Sequence, residues 1–209
     1  MFIREGLKNK KTKINKFQLF ILVFTILYVL LFGLYYIING NFEFIWYVII
    51  LVFLIIFVSW LHSLYNFSSG VLLGVSIWGL IHMAGGSVRI NGTVLYRYII
   101  YPLFSSDVAG TDILRYDQFA HFYCYFFVTL LLYYIMNAYV KKDINRFALS
   151  ILIIFMAMGI GALNEILEFI PVLVLENTGV GDYFNTLWDI VFNTLGSIVA
   201  VIYVYFRRK

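Results

Sequence analysis

The sequence predicts an all-α integral membrane protein, a bundle of six transmembrane helices with the N- and C-termini cytoplasmic. Three observations predict it. The 209 residues are 63% hydrophobic and only 12% charged, about half the charged share of soluble domains. Apolar runs long enough for a bilayer, ~20 residues each, recur along nearly the whole chain. The basic residues collect at the two ends and in one connection. Outer-membrane barrels alternate apolar and polar residues, and runs such as Val48 to Val58 do not. One cysteine, Cys124, excludes a disulfide within the chain.

Residues 1–16 read as a basic cytoplasmic tail, carrying Arg4, Lys8, Lys10, Lys11, Lys13 and Lys16 against Glu5. Residues 17–209 then read as one polytopic domain. Its first span, about 17–39, is longer than the ~7–15-residue apolar core of a signal peptide and has no small-residue cleavage site after it, so it reads as a retained helix. The second, about 44–61, has Trp46 and Trp60 near its ends as interfacial aromatics. The third, about 69–85, contains Gly70-x-x-x-Gly74, a spacing that lets helix backbones approach closely. Residues 86–115 form the longest connection. Within it, 93–104 is apolar and tyrosine-rich, holds Arg97, nears its end at Pro102, and is too short to span, so it reads as interfacial or re-entrant. The remaining spans are about 116–140, 147–170 and 186–206.

The basic residues orient this bundle. With the N-terminus inside, twelve fall on the cytoplasmic side: six in the tail, then Lys141, Lys142, Arg146, Arg207, Arg208 and Lys209. Arg89, Arg97 and Arg115 fall on the other side. That bias follows the positive-inside rule. It also accounts for the net charge of +4 without nucleic acid as a partner. Membrane lipid is the surrounding phase, and the sequence carries no signal for oligomeric state.

Ionisable residues interrupt the last three spans, where insertion scales put Asp at roughly 2.5–3.5 kcal/mol at a helix centre. Asp117 and His121 are spaced i,i+4 at the start of the fourth span, Glu165 and Glu168 i,i+3 at the end of the fifth, and Asp189 and Asn193 i,i+4 at the start of the sixth. Each pair shares a helix face, and lipid turns such faces inward. His82, near the outer end of the third span, joins them. The expected product is a polar, acidic pocket between the third to sixth helices, confined to the outer third of the membrane and open to the outer surface.

Structural roles stand beside functional ones. Asp117 suits the positive end of a helix dipole. Asp189, three residues after Thr186, suits a capping box. His121 and His82 each suit a buried hydrogen-bonding role. Glu165 and Glu168, near the C-terminal end of their helix, oppose the dipole and lack a basic partner at i−3 or i−4, which leaves Arg115 to pair with one of them across helices. The chemical candidates are Glu165, Glu168, His121, Asp117 and Asp189 as an acid–base centre, or His121, Glu165, Asp189 and His82 as ligands of zinc or another divalent ion. Asn193, Arg115 and Asp182 are supporting polar residues. Neither HExxH nor paired cysteines are present, and no phosphate-binding glycine loop or Gly-x-Ser-x-Gly elbow appears.

The motifs Asp117-Gln118-Phe119-Ala120-His121-Phe122, Glu165-Ile166-Leu167-Glu168-Phe169 and Asp189-Ile190-Val191-Phe192-Asn193-Thr194-Leu195-Gly196 resemble the VanZ-like superfamily of small membrane proteins. The stretches Gly181 to Asp189 and Ile81 to Gly86 look closer to its YjdF-like branch. The resemblance covers roughly residues 75–200 and implies a polytopic membrane protein of the cell envelope. VanZ itself is associated with resistance to a glycopeptide antibiotic that acts on the envelope. Three functions remain open on the sequence: an enzyme acting on a lipid or lipid-linked envelope molecule at the outer leaflet, a binding or scaffold protein with a structural polar cluster, and a transporter of an ion or small solute. Transport sites usually sit at the midplane between repeats, and here the charges lie on one side.

Overall fold

A computed structural model describes residues 14–102, 105–106, 111–112, 114–140 and 143–207. It contains six helices long and apolar enough to cross a membrane: α1 Lys16–Ile38, α2 Phe42–Tyr65, α3 Ser69–Ser87, α4 Tyr116–Tyr139, α5 Arg146–Val174 and α6 Tyr183–Arg207. Their surfaces are apolar outward, as with Leu30 and Leu31 on α1, Phe53 and Ile56 on α2, and Phe155 on α5. Such faces match a lipid surround. Most of the basic tail, together with Lys141, Lys142, Arg208 and Lys209, lies outside the described residues.

Polar side chains define the helix starts. Asn15 accepts from Gln18 N and Gln18 Oε1 accepts from Asn15 N, a reciprocal cap on α1. Ser68 caps α3 and Asn145 caps α5. Asp182 Oδ1 accepts from Asn185 N at 3.0 Å and starts α6 at Tyr183, three residues before the expected boundary. Asp189 is therefore well inside α6, and the Thr186 capping box does not form.

α5 also runs further than expected, through Pro171 to Val174. A proline inside a helix leaves the carbonyl four residues earlier without its donor. That carbonyl belongs to Leu167, and it accepts the indole N–H of Trp46 from α2 at 3.1 Å. The helix survives its proline because another helix supplies the missing hydrogen bond. Glu168 is consequently six residues from the helix end, and the dipole, which fades within the last turn, bears on it less than the shorter helix implied.

α1 is bound to α3 through hydroxyls. Tyr28 donates to Ser76 O at 2.8 Å, Thr25 and Ser76 share a hydrogen bond of 2.6 Å, and Tyr36 donates to Met83 O. The Gly70-x-x-x-Gly74 spacing works differently from the backbone approach expected. Gly70 has nothing near its missing Cβ, and Gly74 seats the ring of Phe127 from α4. The close helix–helix approach occurs instead at Gly196, where a Cβ on α6 would lie 2.2 Å from Phe122 O of α4. α4 and α6 are the most extensively packed pair in the bundle.

The described residues of the connection before α4 pack against α3 and α4. β1 Arg89–Ile90 and β2 Thr93–Val94 pair antiparallel through Asn91 and Gly92, both at positive φ, the backbone of a two-residue hairpin for which Asn-Gly is the favoured sequence. A 3₁₀ turn, Leu95–Arg97, follows. β3 Ser105–Ser106 and β4 Thr111–Asp112 also pair antiparallel. The stretch read as interfacial is thus a hairpin arm and a 3₁₀ turn over its described residues; 103–104 lie outside them.

Gly196→Ala should lower thermal stability in detergent by about 1–3 kcal/mol through overpacking against α4. Gly159→Ala on α5, where a Cβ meets nothing within 4 Å, should leave stability unchanged or raise it.

Candidate functional site

His121 is the hub. It stands one turn into α4 with only 8% of its surface exposed, and carboxylates reach it from three helices. Asp117, one turn earlier on α4, places Oδ1 3.5 Å from Nε2. From α5, Glu168 Oε1 is 4.0 Å from Nε2 and Glu165 Oε1 is 3.9 Å from Nδ1. From α6, Asn193 Oδ1 is 3.0 Å from Nδ1. With Asn193 accepting from Nδ1–H, the Nε2 lone pair is turned toward Asp117 and Glu168.

Asp189, 1% exposed, completes the group. Asp117, His121 and Asp189 offer ligand atoms within 4.8 Å of one another, as do His121, Glu165 and Glu168. Two asparagines hold the carboxylates in place. Asn185 Nδ2 donates to Asp189 Oδ2 at 2.6 Å and to Asp117 Oδ2 at 3.1 Å, joining α6 to α4. Asn164 Nδ2 donates to Glu168 Oε1 at 2.7 Å. Asp189 Oδ1, Glu165 Oε1 and Asn193 Nδ2 are buried without a hydrogen-bond partner. The three ion pairs among the described residues all involve His121, and with Asp189 close by one imidazole faces four carboxylates.

The five candidates expected to carry chemistry, Asp117, His121, Glu165, Glu168 and Asp189, therefore converge with Asn193. Arg115 and Asp182, expected as supporting residues, and His82, expected as a metal ligand, have other surroundings. Arg115 makes no ion pair with Glu165 or Glu168; it stands at the N-cap of α4, with its Nε buried and unpartnered. Asp182 caps α6. His82 lies outside both sets of close ligand atoms. Its ring is enclosed by Phe44, Tyr47, Trp78 and Tyr96, at centroid distances of 5.2–6.1 Å, and its Nδ1 is hydrogen-bonded to the Tyr96 hydroxyl. Burial holds the Tyr96 phenol well above its ordinary range, so it stays neutral.

Asn185, Asn164 and Tyr96 were not among the residues expected at the site. Asn185 carried a usable signal: Asn185, Asp189, Asn193 and Ser197 form an i, i+4, i+8, i+12 polar stripe on α6. The Asn91-Gly92 pair likewise marks the hairpin that delivers Tyr96.

A cavity of about 290 Å³ opens beside the cluster. Its lining includes Asp117, Glu168, His82 and Tyr96, with Arg89, Arg97 and Arg115 and the 177–181 loop. Gly179 N donates to Glu43 Oε2 at 2.5 Å, which ties that loop to the start of α2. A second, smaller space of about 10 Å³ lies between His82 and His121 against Glu168, close to the size of one water.

Six spans with a buried histidine–carboxylate cluster at one end define a multi-pass helical membrane protein with a polar site near its surface. The chain belongs to the family described as "Predicted membrane protein (DUF2238)", whose model matches residues 20–209 and so takes in nearly all of the six helices. No curated protein matches the chain, and no solved structure does.

Asn185→Ala should cost about 1–3 kcal/mol in thermal stability by leaving two partly buried carboxylates without their donor. The loss should be smaller when measured in an Asp189→Asn background, because the two residues share one interaction.

Proposed function

We propose that the protein is a membrane-embedded enzyme whose reactive centre is a divalent-cation site built on His121, acting on a lipid or lipid-linked envelope molecule at the outer leaflet. The observation that carries this reading is the charge imbalance around His121. Four carboxylates meet one imidazole, and two carboxylate oxygens in the group are buried without a hydrogen-bond partner. Buried carboxylates are normally paired or coordinate metals. A protonated His121 would supply only one positive charge, whereas a divalent cation bound to the neutral ring offsets two of the four negative charges.

The donor set suits this assignment. Imidazole and carboxylate oxygen together serve zinc or manganese. Asn193 on Nδ1 orients the ring in the manner of a partner behind a metal-bound histidine. Asp117, His121 and Asp189 would hold the ion, with Glu168, on the Nε2 side and in the cavity lining, as general base and Glu165 behind the ring on the Nδ1 side. A bound cation would polarise a substrate oxygen and lower the pKa of a coordinated water. The cavity beside Asp117 and Glu168 gives a substrate headgroup room to reach them.

The orientation belongs to this reading: with both termini cytoplasmic, as the basic residues favour, the cluster faces the outer surface. The resemblance to VanZ-like proteins, and to their YjdF-like branch, supports an envelope role. Transport is favoured less, because the buried carboxylates all stand at one end of the bundle among the described residues. A scaffold role is favoured less because scaffolding does not call for unpartnered carboxylate oxygens.

Purified protein should hold about one divalent ion per chain by elemental analysis, and His121→Ala and Asp189→Asn should each lower occupancy at least ~10-fold. Occupancy should fall on acidification, since protons compete for the same oxygens. A metal-free wild type, purified without chelator and refractory to added zinc or manganese, would sink the proposal. For orientation, single cysteines placed in a Cys124→Ser background should react with an impermeant maleimide on intact cells at the α1–α2, α3–α4 and α5–α6 connections and not at the α2–α3 or α4–α5 connections.

A further inference from the structure

We infer that the cavity beside the cluster binds a phosphate group, and that the substrate of the site is a phosphate-bearing lipid headgroup. The inference rests on reading cluster and cavity as one site. Its carrier is the opposition of charge across a single space of about 290 Å³: Asp117 and Glu168 on the side of His121, and Arg89, Arg97 and Arg115 from the hairpin, the 3₁₀ turn and the start of α4.

These are all three basic residues that the sequence places on this side of the bundle, and all three line the same cavity. Arg97 and Arg89 are exposed at its mouth, whereas Arg115 is half-buried with its Nε unpartnered. Guanidinium groups present forked donors that match phosphate oxygens. None of the three forms an ion pair within 4 Å with a carboxylate of the cluster among the described residues.

Arg89 donates to Gly92 O at 3.2 Å and Arg97 also interacts with Glu43, a third carboxylate on the cavity wall, yet each guanidinium has further N–H donors for a phosphate, and a cationic headgroup would be repelled by them. A bare carboxylate cluster would repel a phosphate. The two signs are reconciled when a cation stands between them, because divalent ions are commonly held by one or two carboxylates together with substrate phosphate oxygens. The cavity accommodates a headgroup and leaves acyl chains in the lipid against the apolar helix faces.

The test uses full-length protein in a maltoside detergent, with manganese present and three probes read by calorimetry: dioctanoyl phosphatidic acid, dioctanoylglycerol and inorganic phosphate. Phosphatidic acid should bind at least about tenfold more tightly than dioctanoylglycerol, and inorganic phosphate should compete with it. Arg97→Gln should weaken phosphatidic acid about tenfold, whereas Arg97→Lys, which keeps the charge, should retain most of the affinity. Arg115→Gln is the second variant, should the first fail to fold. Each variant should keep the wild-type metal content. Phosphate binding without lipid preference would support the phosphate site and assign its source as soluble. Equal binding of phosphatidic acid and dioctanoylglycerol to metal-loaded protein would overturn this inference and leave the cation site standing. Phosphate binding to a wild type that takes up no metal would overturn the cation site instead.

Discussion

Four carboxylates around one buried imidazole is the constraint on which this end of the molecule depends. Moving a carboxylate out of water costs several kcal/mol even after relaxation, and Asp117, Glu165, Glu168 and Asp189 come from three helices to share His121. The bundle is arranged to bring them there. Gly196 lets α6 press against the backbone of α4 at Phe122, one residue beyond His121. The indole of Trp46 takes up the carbonyl freed by Pro171, so α5 continues as a helix past Glu168. Asn185 and Asn164 hold the carboxylates at hydrogen-bonding distance.

Much of this is legible in the sequence, for physical reasons that also mark its limits. A bilayer demands long apolar helices, so the six spans follow from length and composition alone. The i,i+3 and i,i+4 spacings put each polar pair on one face, and lipid leaves those faces only the interior. The meeting of Asp117, His121, Glu165, Glu168 and Asp189 follows from these two facts. The helix ends do not. α5 is extended by a donor 121 residues away from Leu167, which no local pattern reports. Tyr96 lies in a stretch that reads as apolar and interfacial, and only the Asn91-Gly92 hairpin turns it back onto His82. The Gly70-x-x-x-Gly74 spacing misleads because a glycine can seat an aromatic ring as readily as a backbone, and α3 uses Gly74 for Phe127.

The asymmetry of the interior narrows what the protein can do. Buried polar groups away from the cluster, such as Ser76 and Gln18, are neutral and hydrogen-bond to a neighbouring helix or connection. They fasten the bundle. The ionisable groups of the cluster lie within roughly 14 Å of helix ends at ~1.5 Å per residue, beside a cavity lined by arginine, while His62 is buried near the far end of α2. A site at that depth meets headgroups more readily than solutes crossing the midplane, and its two signs of charge fit a cation and an anion together.

The most direct measurement is an anomalous difference map from crystals grown with manganese, recorded above and below the metal edge. The account predicts a single peak within coordination distance of His121 Nε2 and of oxygens from Asp117 and Asp189. The same map with no peak, and the carboxylates closed into hydrogen bonds with each other and with His121, would contradict it.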